Sequence, residues 1–432
     1  MSPAQGSPER PTLATDKQLA AERMLPRLLA HPDVAEAMRR LRAELEADPS
    51  AATPDARAWL DRAVALYAGS LAMREIGADP ARPQALRDLD PGPPTWFGVP
   101  GTARGTSGES PDNIYRFLSL DGRYSYRLSG RVPANGPIHF SLDARAAPAR
   151  RPPGHPAPPG RSDSGIQLGL MTEKDIQVGD DGAFAITIDT TPAAGRTNHL
   201  QIADGPATVL LRNVFSDWRQ APTHFRIERT DGLPTPPAPS EDQLASHLAE
   251  DLRAWARYWF DLPHTFLGAP PANTFPPPVP RDGGWGRLTA CNFRLAPDEA
   301  MVVTTLGGGA AYTGAQVLGP WMIPPDPQAR FVSRNISQVE RDRRGRITYV
   351  ISPVDTGAPN WLDSLGLGQG VIIFRWSAFA EPPPADLIES VRVVKLNDLG
   401  AALPSEMRRV TRVEREAELG RRVRDYQNRN QL

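Results

Sequence analysis

Three short stretches carry residue types that can do chemistry. The first is Asn198-His199-Leu200-Gln201, followed by the apolar run 207–212 and by Ser216-Asp217-Trp218. An imidazole oriented by a carboxylate is the smallest set for general base work. His199 and Asp217 supply that set if the turn and the end of the next strand converge, with Arg212 and Trp218 as ligand contacts. The same residues have a structural reading: an Asx-turn at Asn198, His199 packed on Trp218, and an Arg212–Asp217 ion pair. The second stretch is Asn360-Trp361-Leu362-Asp363. Here Asp363 serves as acid or base if its apolar neighbours desolvate it and raise its pKa. Asn360, Trp361 and the later Arg375 then touch the substrate. Structurally, Asp363 instead caps the turn before Gly366 and Trp361 is core. The third stretch holds Asp112, Asn113 and Tyr115, a carboxylate, an amide and a phenol within one turn. Such a set binds a polar ligand or a hard cation, or it is a loop entering a strand.

The elements that position these residues come in pairs. Residues 195–201, Gly-Arg-Thr-Asn-His-Leu-Gln, echo residues 357–363, Gly-Ala-Pro-Asn-Trp-Leu-Asp. Each follows a Gly-turn and an alternating strand, at 182–188 and 345–351, and each precedes an apolar run. This is the grammar of a duplicated unit. Gly, Asn and Leu are shared and read as architecture. The unshared positions, His199 against Trp361 and Gln201 against Asp363, are where a site would differ between copies.

Taken in order, residues 1–14 read as a disordered polar tail and 15–94 as an N-terminal helical segment with apolar residues at helical spacing. Residues 95–234 read as a first β-sandwich domain and 240–264 as an inter-domain helix capped by Ser240. A second β-sandwich domain spans 265–403, and a charged helix 404–432. The Pro-rich insert 147–160 can be neither strand nor helix and reads as a surface loop or lid. Short strands with Gly/Pro turns give the fold class α+β: two antiparallel β-sandwich or jelly-roll domains with helical additions.

Composition bounds the rest. Lys+Arg 49 against Asp+Glu 50 offers no global attraction to nucleic acid. The one cysteine, Cys291, excludes an intramolecular disulfide. No apolar run reaches the roughly 20 residues of a membrane span, and the N-terminus lacks a signal-peptide pattern, so the expected location is the cytoplasm. No His-x-x-x-His, cysteine cluster or acid-rich loop points to a metal, and no dinucleotide or hydrolase-elbow motif points to a cofactor or an activated serine. Distant histidines could still meet in space, and His139, His199, His224 and His264 are the ones to follow.

The elements Ser110-Pro-Asp-Asn-Ile-Tyr115, Asn198-His-Leu-Gln with Leu211-Arg212 and Ser216-Asp-Trp218, and Pro359-Asn-Trp-Leu-Asp363 with Phe374-Arg-Trp376 resemble a known family. They are similar to bacterial proteins bearing the domain of unknown function twelve-fourteen, often paired with a twelve-fifty-four domain, over roughly residues 95 to 400. The resemblance implies jelly-roll-like β domains with helical additions and brings no established reaction. The functional expectation is an enzyme or binder that takes an apolar small molecule, of lipid, steroid or isoprenoid type, in a cleft between the β domains. Trp96, Trp218, Trp255, Trp259, Trp285, Trp321, Trp361 and Trp376 are candidates to line that cleft, or else core. The alternative is a non-catalytic assembly or partner-binding protein, homo-oligomeric or not, whose Asn-x-Leu motifs are turns.

Overall fold

In this computed structural model the described residues are 12–92, 95–146, 166–268, 270–280 and 286–431. The insert 147–160 and Trp285 lie outside them, as does most of the expected tail. Its last residues do not hang free: Leu13 and Ala14 are buried against Trp96, Ile114 and Phe215.

Helix α1 (Asp16–Ala30) starts where the Thr15 side chain accepts from the Gln18 N–H, and α3 (Pro54–Ile76) starts on Thr53 in the same way. Between them α2 (Pro32–Glu46) opens on Pro32, whose fixed φ suits a first helical position. Helix α4 (Glu241–Leu267) begins with a full capping box between Ser240 and Gln243. These four helices share one apolar core, built from residues such as Leu28, Leu41, Leu60, Tyr67, Leu248 and Phe260. The expected inter-domain spacer is therefore the fourth member of a helical layer.

The first β unit comprises β1 (Leu86–Leu89), β2 (Asn113–Asp121), β3 (Tyr126–Arg131), β4 (His139–Ala146), β5 (Gln167–Thr172), β6 (Ala183–Asp189), β7 (His199–Gln201), β8 (Pro206–Val214) and β9 (His224–Arg229). It opens earlier than residue 95, because β1 pairs with β2. Five strands form one sheet in the order β1-β2-β8-β4-β5, and four form another, β9-β3-β6-β7. The two sheets share one core, with Leu118, Leu142 and Val209 from the first and Leu128, Ile186 and Ile227 from the second. Alternation explains it: Tyr126 and Leu128 go in, while Arg127 stays exposed.

The second unit has β10 (Val279–Pro280), β11 (Arg287–Arg294), β12 (Glu299–Thr305), β13 (Ala310–Leu318), β14 (Ser333–Asn335), β15 (Ile347–Ser352), β16 (Trp361–Asp363), β17 (Gln369–Phe379) and β18 (Ile388–Lys395). Its sheets run β10-β11-β17-β13-β14 and β18-β12-β15-β16, which repeats the first unit strand for strand. Each unit even carries one parallel pair in otherwise antiparallel sheets, β6 with β7 and β15 with β16.

The C-terminal helix α5 (Arg412–Gln431) starts later than its charge pattern suggests and is far from merely solvated. Arg415, Arg422, Tyr426 and Arg429 are buried. Arg429 donates to the Pro111 carbonyl at 2.9 Å, and Arg422 donates to Gln338 at 2.8 Å. The helix thus fastens the start of β2 to the second unit.

Candidate functional site

The two Asn-x-Leu stretches are matching turns. Asn198 Oδ1 accepts from the Gln177 N–H at 2.7 Å and its Nδ2 donates to the Gln177 carbonyl at 2.8 Å. Asn360 makes the same pair of bonds with Glu340, both at 2.8 Å. Gly195 and Gly357 both have positive φ, 83° and 72°, the left-handed region that favours glycine. Each Asn thus clips a passing backbone segment to the short parallel strand that follows.

The side chains expected to do chemistry there are committed locally. His199 Nδ1 lies 2.8 Å from Thr187 Oγ1, and Nε2 lies 2.8 Å from the Thr191 carbonyl. The carboxylate nearest to it is Asp189, at 3.7 Å, and not the expected Asp217. Asp217 is held by Arg219 through its guanidinium and backbone N–H, and that pairing keeps its carboxyl below the usual range against partial burial. Asp363 accepts from Arg330 at 2.9 Å and from the Leu365 N–H at 2.7 Å, which is the capping role. Trp361 donates to Ser352 Oγ at 3.0 Å and packs on Phe331. Arg212 does not pair with Asp217; its guanidinium lies 5.3 Å from the Tyr115 ring centroid.

The third stretch behaves differently. It sits where the two β units meet. Asp112 is buried and accepts from Trp218 Nε1 (2.7 Å) of the first unit and from Asn335 Nδ2 (3.0 Å) and Tyr312 OH (2.8 Å) of the second. Asn113 donates to the Tyr115 hydroxyl at 2.9 Å. Arg375 donates to Gln316 Oε1 at 2.8 Å and to the Gly108 carbonyl at 2.5 Å. Asp112, Asn113, Tyr115, Arg212, Trp218 and Arg375 therefore belong to one junction. A small void of about 10 Å³ touches this set and is lined by Asn113, Val214, Arg287, Tyr312, Arg375, Trp376 and Ser377.

A groove of about 900 Å³ opens beside that void and shares Arg287 with it. The first unit lines it with Ile138, His139, Leu170, Thr172 and Glu173, the second with Pro280, Arg287, Ala378 and Phe379 among others. Within it His139 Nδ1 lies 2.8 Å from Glu173, whose carboxylate also accepts the Phe140 N–H at 3.1 Å. Burial pushes the Glu173 carboxyl up, but the bonds from His139 and the backbone outweigh it and hold the group below its ordinary value. A carboxylate only accepts, so His139 Nδ1 donates its N–H in this bond, while Nε2 is buried.

His139 was named only as one of four histidines that could meet at a metal, on a strand that alternates apolar and polar. Glu173 carried no signal, since it lies in the polar turn Thr-Glu-Lys-Asp after β5. Among the described residues, no tryptophan is in the groove lining. Trp96, Trp218, Trp321, Trp361 and Trp376 are buried, and Phe379 is the aromatic residue of the groove lining. No group of three or more His, Cys, Asp or Glu side chains suited to a metal ion occurs among the described residues. No helix among them is long and apolar enough to cross a membrane.

No protein-family model matches the chain, and no curated protein matches it in sequence. Among solved structures it is similar to an uncharacterised protein from Burkholderia cenocepacia, with TM-score 0.67 and 24% identity, covering 88% of this chain and 100% of that one. A protein from Vibrio parahaemolyticus aligns at TM-score 0.37 and 11% identity over 67% of this chain and 90% of its own. The Burkholderia structure shares the fold: helices joined to extensive antiparallel sheets.

Proposed function

We propose that this chain binds an amphipathic small molecule in the groove between its two β units, and that the His139–Glu173 pair in the groove wall is its acid–base group. The observation that carries the reading is the groove itself: about 900 Å³, lined from both units, with an imidazole–carboxylate pair in its wall. That volume falls in the range of small-molecule sites, roughly 300 to 1,000 Å³. Ile138, Leu170, Phe379 and the prolines supply apolar surface for a ligand body of lipid, steroid or isoprenoid type. The site moves from the Asn-x-Leu stretches to β4 and the turn after β5, because the former spend their polar atoms on the fold.

The matched strand orders and matched Asn clips support a duplicated β-sandwich or jelly-roll unit, while the twelve-fourteen relationship rests on the quoted motifs alone. The expected location stays the cytoplasm. A second reading, a non-catalytic assembly protein, draws on one specific observation: Asp112, Asn198, His199, Asn360 and Asp363 are all engaged in internal bonds.

The test is a thermal-shift screen with lipids, terpenoids and steroids on the intact chain and on His139→Gln. A stabilising compound whose effect or turnover changes in the variant supports the groove reading. No shift with any compound supports the assembly reading.

A further inference from the structure

We propose that the small void at the inner end of the groove is a carboxylate pocket, so that the ligand is an apolar molecule bearing a carboxylic acid. This rests on the groove reading above and names its ligand class. The void and the groove adjoin at Arg287, which lines both. Asn113, Val214 and His139 lie abreast on β2, β8 and β4, and Arg287 pairs with Trp376 across β11 and β17. A ligand lying along the groove past His139 therefore ends at Arg287, Arg375 and Ser377.

The chemistry at that end is cationic and incompletely bonded. Arg287 donates to the Pro278 carbonyl and Arg375 to Gln316 and the Gly108 carbonyl. These are neutral acceptors, and neither guanidinium has a carboxylate partner among the described residues. Ser377 Oγ and Asn113 Oδ1 are buried with no hydrogen bond. A buried hydroxyl left unbonded costs free energy that a ligand atom can recover. Turning the Asn113 amide over points its N–H₂ inward instead, while the Tyr115 hydroxyl donates to the amide oxygen. Size selects the head group: about 10 Å³ admits one oxygen-sized atom, hence one carboxylate oxygen and not a phosphate. The carboxylates in the groove wall do not oppose this. Glu173 is engaged by His139 and the Phe140 N–H, and Asp175 by Thr172. Glu381 lines the groove two strand-end residues beyond Phe379, away from Ser377 in sequence and outside the void's lining.

The experiment is calorimetric titration of the full chain with dodecanoate and with dodecanol, on the native protein and on Arg287→Gln, Ser377→Val and Leu170→Trp. Charge-assisted bonds predict that dodecanoate binds at least about tenfold more tightly than dodecanol. Arg287→Gln and Ser377→Val should remove that preference, with melting curves confirming that both fold. Equal affinity for acid and alcohol, both abolished by Leu170→Trp, would overturn the carboxylate pocket and leave the groove reading standing. Binding of neither compound, or binding indifferent to Leu170→Trp, would overturn both.

Discussion

Asp112→Ala should be the most damaging single substitution at the junction of the β units. The native carboxylate accepts three side-chain hydrogen bonds, from Trp218 at 2.7 Å, Tyr312 at 2.8 Å and Asn335 at 3.0 Å. All four residues are buried, so water does not replace the lost acceptor. Leaving a buried donor unsatisfied costs about 1–3 kcal/mol, and the three together set a ceiling of roughly 9 kcal/mol. Relaxation and an admitted water bring the expected loss to about 3–5 kcal/mol, comparable to breaking a buried ion pair by removing one partner. Against a typical stability of about 5–15 kcal/mol this is a severe defect. Urea unfolding followed by tryptophan fluorescence and by circular dichroism measures it. The bonds cross from one unit to the other, so the two units should also lose their common transition and the variant should unfold with a lower m-value. A double-mutant cycle with Trp218→Phe isolates one of the three bonds. A loss below about 1 kcal/mol with an unchanged m-value would refute the role of Asp112 as the fastening between units.

Three further outcomes are expected. Asn198→Ala and Asn360→Ala each remove one two-pronged backbone clip, and each should cost about 1–3 kcal/mol in denaturant unfolding, the buried Asn360 more than Asn198. Glu173 has a folded pKa below its ordinary value of 4.5, so its contribution to stability is complete above that pH and lost as the pH falls through the folded value. The stability gap between the native chain and Glu173→Gln should therefore be widest near neutrality and close as the pH falls through the lowered folded value, as read from melting curves across pH. The thiol of Cys291 is buried and pushed up to about 12, so it should react with a thiol reagent only on unfolding, releasing one equivalent then and almost none before.

Much of the fold was readable from residue pattern. The paired Gly-x-x-Asn-x-Leu stretches repeat because a left-handed glycine and a clipping asparagine are local requirements, and local requirements leave marks in sequence. The cap at Ser240 and the alternation through Tyr126 and Leu128 were legible for the same reason. What the pattern concealed was long-range. Nothing in residues 240–264 tells a spacer from the fourth helix of a shared core, since both need an apolar stripe. In the charged tail, Arg422 and Arg429 are buried by stacking on Trp218 and by bonds to distant carbonyls, which leaves no periodic signature. His199 and Asp217 are close in sequence and attract attention, whereas His139 and Glu173 meet only once β4 and β5 pair. Asp112 was singled out with Asn113 and Tyr115 as a set for a polar ligand or cation, or as a loop entering a strand; its partners Tyr312 and Asn335 lie in the other unit, where no local pattern points.

Occupancy of the groove is the point on which most depends. The direct measurement is a structure of the chain soaked or co-crystallised with the best compound from the thermal-shift screen. The expected result is density along Ile138, Leu170 and Phe379 with a polar atom within hydrogen-bond distance of His139. Density elsewhere, or an empty groove at a ligand concentration that saturates the thermal shift, would contradict it.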